Sequence, residues 1–85
     1  MLFLFDREAP RTFWMKDTIV PLDIIFLDKS GRVVSVAADA TPYSTDPIPS
    51  GAPAAGVLEV VAGTSARLGV DETAYVEYRA FGTAP

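Results

Sequence analysis

Residues 21–38 read PLDIIFLDKSGRVVSVAA, and this stretch decides the fold class. Successive side chains of a strand point to opposite faces. In Leu22–Asp28 one face carries Leu22, Ile24 and Phe26, and the other carries Asp23, Ile25 and Leu27. Apolar groups on both faces predict a central strand covered on both sides. Pro21 lacks an N–H donor and suits the beginning of such a strand. Lys29-Ser30-Gly31 reads as a tight hairpin turn, with Gly31 supplying a positive φ at no steric cost. Arg32–Ala38 then returns as the partner strand, with Val34 and Val36 on one face and Val33, Ser35 and Ala37 on the other.

Outward from this hairpin the pattern stays β-rich. Leu2–Phe5 predicts a short strand that gives way to a polar loop over Asp6–Arg11. Thr12–Met15 is a second short strand, followed by a turn over Lys16–Val20. Ala40–Ala55 holds four prolines and few large apolar groups. It is expected on the surface without regular structure, as a stiffened connector or as a rim over a pocket. Gly56–Val61 is a further strand. Ala62–Leu68 suits one or two helical turns, capped by Thr64 or Ser65 and ended by Gly69. Thr73–Ala80 alternates again and predicts a last strand. The fold class is therefore all-β or nearly so: about six short, mainly antiparallel strands with one short helix near 63–68. A small barrel-like or bent sheet would hide the edges of such a set.

Composition narrows the chemistry. Eighty-five residues suit a single domain spanning 1–85. The chain has no cysteine, which excludes disulfides, thiolate metal sites and thiol nucleophiles, and no histidine, which removes the commonest general base and metal ligand. No cofactor or metal is expected, since no carboxylates stand at calcium-loop spacing. A net charge of −4 lacks the basic footprint that nucleic acid demands. No apolar run reaches the length of a membrane span. The opening MLFLFDREAP turns charged too early to act as a signal peptide.

Six residues are candidates for a site. Trp14 and Lys16 share one side of their strand, opposite Phe13 and Met15. They form either an aromatic platform beside a cation or a core tryptophan overlaid by a lysine stem. Asp17 fits a hydrogen-bonding role in the Lys16–Ile19 turn. Asp23 sits in the most apolar strand, so its charge requires compensation by Lys16, by Arg32 or by turn amides, unless it serves as an acid or base. Glu59 lies between Leu58 and Val60, and shares a face with Val57 and Val61. With Asp23 it could form a carboxylate pair of the glycosidase kind. Ser50 completes the set in the proline loop. Without histidine no serine has an activating base, Lys16 apart.

The stretch FWMKDTIVPLDIIF, Phe13–Phe26, resembles the signature of domain of unknown function family 192, as do MLFLFD, GRVVSV, IPS and VLEVVAGTSARLGV around it. The resemblance implies a compact, mostly β fold without an established activity, in bacterial and archaeal proteins that are often exported to the periplasm or beyond. It also implies a segment of roughly 20–30 residues ahead of the MLFLF-like strand, a modest addition by domain standards. Where such a segment is missing, an exposed sheet edge could pair with another chain. The expected function is a non-enzymatic binding module for a small molecule, glycan or envelope partner, using Trp14, Lys16, Asp17, Asp23 and Ser50. The alternatives are an enzyme using Asp23 with Glu59 or Lys16 as acid and base, and a purely structural or interaction domain.

Overall fold

The computed structural model describes residues 1–71 together with 73 and 74. The elements are β1 (Leu2–Ala9), β2 (Thr12–Phe13), β3 (Leu22–Leu27), β4 (Val33–Ala40), β5 (Ile48–Pro49), β6 (Ala54–Val61) and α1 (Thr64–Leu68). Four of the strands form an antiparallel sheet in the order β1-β6-β3-β4, and β2 pairs with β5 in a second, two-stranded sheet. Among the described residues the main sheet stays open, with β1 and β4 at its edges. No described helix is long and apolar enough to cross a membrane.

The central position of β3 follows from its two apolar faces. Ile24 and Phe26 pack with Met15, Ala40, Ala54 and Val57, and Phe3, Phe5, Phe13 and Ile48 close that cluster. Ile25 and Leu27 pack with Val33 on the other face, covered by Leu58, Val60, Val70 and Ala74. Phe13 links the two sheets through edge-on contacts, its ring centroid 5.8 Å from Phe3 and 6.0 Å from Phe26. The small sheet therefore lies against the Phe26 face of the large one. The turn between β3 and β4 is built by Asp28: its Oδ1 accepts from the amides of Ser30 and Arg32 and from the Ser30 hydroxyl, and Gly31 takes φ 88°.

Four sequence expectations change. β1 does not end at Phe5 but runs to Ala9, through a pronounced bulge. Leu4 faces Gly56 and Ala9 faces Ala54, so four residues of β1 arch over the single residue Ala55. Val34 and Val36 do not share a face, because the register slips between Phe26 and Leu27 and sends Val34 to the Phe26 cluster and Val36 to the Ile25 cluster. The helix is capped by Gly63 at φ 92°, not by Thr64 or Ser65, although Gly69 ends it as expected. The proline segment Ala40–Ala55 gives its ends to β4 and β6, and between them it is irregular apart from the two residues of β5, whose pairing with β2 ties it to the core. The expected strand Thr73–Ala80 falls almost wholly outside the described residues.

Candidate functional site

Asp23 is fully buried in β3 and directed to the Ile25 face, beside the first turn of α1. Its Oδ2 accepts from the Ser65 amide at 2.9 Å and the Ser65 hydroxyl at 2.6 Å. Its Oδ1 accepts from the Asp39 amide at 2.9 Å. Two backbone irregularities create these donors. A helix start leaves its first amides without intrahelical acceptors, and Gly63 offers no side chain to serve them. The register slips between Leu22 and Ile24, which places Asp39 in a bulge at φ 53° and turns its N–H away from the ladder. One carboxylate from the central strand satisfies both defects. Burial pushes the Asp23 pKa up, but hydrogen bonds from the Ser65 hydroxyl and from the amides of Asp39, Ser65 and Gly63 outweigh it and hold the group below its ordinary value. A carboxylate so stabilised in its charged form is a poor base. The compensation expected from Lys16 or Arg32 is supplied instead by neutral donors, the turn amides among them.

Glu59 does not meet Asp23. Across β3 and β6, Asp23 faces Val60 and Ile24 faces Glu59, so the two carboxylates emerge on opposite faces of the sheet. Asp23, Asp39 and Ser65 line an open depression of about 340 Å³, to which neither Trp14 nor Lys16 contributes. Among the described residues no three histidine, cysteine or acidic side chains gather as a metal site.

Ser50 is a buried latch. Its hydroxyl accepts from the Arg11 amide and donates to the Ala52 carbonyl, while its own amide donates to Arg11 O and its carbonyl accepts from the Ser35 hydroxyl. These bonds extend the β2–β5 pairing by one step.

Trp14 and Lys16 stand apart from all of this. Phe13 and Met15 point into the core, so alternation turns Trp14 outward, where it is 55% exposed. The Lys16 ammonium lies 5.4 Å from the Trp14 ring centroid, within cation–π range. The turn is held from both sides: Thr18 N–H donates to Met15 O, Met15 N–H to Ser44 O, and Tyr43 N–H to Thr18 O. Asp17 lies exposed in that turn. Tyr43, at φ 62° and 61% exposed, adds a second aromatic ring on the facing loop. The sequence reading did not include Tyr43; an aromatic between prolines in a polar loop was the available signal.

The DUF192 family model, described as Uncharacterized ACR, matches residues 1–78. The chain belongs to DUF192. Two solved structures resemble this DUF192 chain closely. One, described as a candidate transcription regulator from Sinorhizobium meliloti 1021, is 43% identical with a TM-score of 0.82, over 85% of this chain and 56% of its own. The other, a protein of unknown function from Novosphingobium aromaticivorans DSM 12444, is 45% identical with a TM-score of 0.80, over 84% of this chain and 51% of its own. The chain thus spans about half the length of these relatives. No curated protein matches it.

Proposed function

We propose that residues 1–85 act as one non-enzymatic binding domain whose ligand, a glycan or similar small molecule of the cell envelope, stacks on Trp14 beside Lys16. The supporting observation is a large aromatic ring left 55% exposed on a turn that three backbone hydrogen bonds hold in place. Leaving such a ring in water forgoes part of the roughly 1.5–3 kcal/mol that its burial would contribute. A rigid, amphipathic ring next to a cation is what a sugar face carrying hydroxyl or acidic groups requires. The enzyme alternative loses ground because Asp23 is saturated with donors and Glu59 lies on the other face. A nucleic-acid role, as the Sinorhizobium protein's description would suggest, sits poorly with a net charge of −4.

Trp14 is the chain's sole tryptophan, so its fluorescence reports directly. Titration with N-acetylglucosamine oligomers and with neutral glucans should give a saturable quench or blue shift for at least one series. Trp14→Phe should retain binding, measured calorimetrically, and Trp14→Ala should lose it without lowering the melting temperature. A flat response to every oligosaccharide would refute the reading.

A further inference from the structure

The bulge of β1 forms a second, separate cavity. Where Phe5–Glu8 arch over Ala55, a depression of about 390 Å³ opens, with Leu4, Phe5 and Ala55 as its apolar wall and Arg7 and Lys29 on its lining. It adjoins another of about 370 Å³ that Arg7 and Arg11 share. Either volume suits a small organic ligand.

The arch is braced at both ends. The Arg11 guanidinium stacks 4.0 Å from the Phe5 ring centroid, its Nη2 donates to Arg7 O on the arch, and its Nε donates to Ala54 O on β6. At the far end Glu8 Oε2 accepts from the Lys29 amide, pinning the arch to the β3–β4 hairpin. The cavity is thus preformed, which lowers the ordering cost of binding. The charge is also unusual for this protein. Three of the seven basic residues of a chain with net charge −4 line these two depressions, against the carboxylates Asp6 and Glu8. One of those carboxylates, Glu8, is already engaged by the Lys29 amide. The arch keeps Phe5 against the core, edge-on to Phe13, while Asp6 and Arg7 stand exposed at its crest. Bulges recur at sheet edges, where β1 lies, and beside binding sites, where they re-aim side chains.

We infer that the β1 arch binds a small organic anion, its carboxylate or phosphate held by Arg7 and Lys29 and its apolar body laid against Leu4 and Phe5. Arg11, whose donors are partly committed to the brace, positions the arch. The site is independent of Trp14.

The test is a nitrogen-15 chemical-shift titration of the whole chain with benzoate, phenyl phosphate, inorganic phosphate and neutral benzamide. Saturable shifts at the amides of Phe5–Glu8, Lys29 and Ala55 are expected with phenyl phosphate or benzoate, and the one that saturates first identifies the head group. Arg7 and Lys29 are exposed and, among the described residues, are hydrogen-bonded only through their backbones, so the Arg7→Glu, Lys29→Glu double variant should melt like the wild type. It should bind at least about tenfold more weakly, the value of one charge-assisted hydrogen bond. Trp14→Ala should bind unchanged. The inference is overturned if no anion gives saturable shifts there, if benzamide or inorganic phosphate binds as well as the aromatic anions, or if the double variant binds like the wild type.

Discussion

Replacing Asp23 by alanine tests the logic of the fold most directly. The substitution strands three donors at once: the Asp39 amide, the Ser65 amide and the Ser65 hydroxyl. A hydrogen bond to a charged acceptor contributes about 1.5 kcal/mol or more, so the gross loss is about 4–5 kcal/mol. Removing the carboxylate also removes its own cost of burial, and water can reach the donors through the adjoining depression, which together return about 1–2 kcal/mol. The net destabilisation is therefore about 3 kcal/mol. With a urea m-value near 1 kcal/mol/M for a chain of this size, the midpoint should fall by about 3 M. Asp23→Asn, which keeps an acceptor oxygen, should fall less, and Asp17→Ala, at an exposed turn position, should not move measurably. The pH dependence carries a definite sign. The folded-state pKa of Asp23 is depressed, so its contribution is present above the ordinary carboxylate pKa and is lost as pH falls through the folded value. The gap between wild type and Asp23→Ala should accordingly narrow on acidification. An unchanged or raised midpoint for Asp23→Ala at neutral pH would refute the anchoring role and favour a functional one.

Other positions follow the same reasoning. Asp28→Ala removes the acceptor that organises the β3–β4 turn and should cost about 1 kcal/mol in thermal melts at neutral pH. Burial pushes the Asp28 pKa up, but hydrogen bonds from Ser30 and Arg32 and the charge of Arg32 outweigh it and lower the pKa, so this loss too should fade as pH falls below the carboxylate range. Ser50→Ala should cost about 1–2 kcal/mol in urea melts, since it leaves the Arg11 amide and the Ala52 carbonyl without partners in a partly buried site. Asp39→Val should cost about 1–3 kcal/mol, because a β-branched residue is strained at φ 53°, whereas Asp39→Gly should stay close to wild type while keeping the amide that serves Asp23.

Local chemistry was enough for much of this protein. The two apolar faces of Leu22–Leu27 announced a central strand, Gly31 and its neighbours announced the hairpin, Gly69 marked the end of the helix, and three of the four prolines of Ala40–Ala55 lie outside any ladder, Pro49 being the exception. Each of these depends on residues within a turn or a strand's length, where side-chain alternation and backbone sterics act directly. The common side of Trp14 and Lys16 was read from strand alternation, although β2 ends at Phe13 and Lys16 lies in the turn beyond it. Tertiary structure decided the rest. Trp14 rather than Phe13 faces water because Phe13 docks edge-on against Phe3 and Phe26. Asp23 needed compensation on any reading, but its partners lie 16 and 42 residues away and, apart from the Ser65 hydroxyl, are backbone groups freed by a bulge and a glycine-capped helix. The β1 arch was equally hidden, since Asp6, Arg7 and Glu8 read as loop until pairing at Leu4 and Ala9 is seen to span them. Sequence periodicity records which side chains seek burial, whereas a bulge shifts register without changing composition. Which distant amide is left for which carboxylate is settled only when the strands come into register.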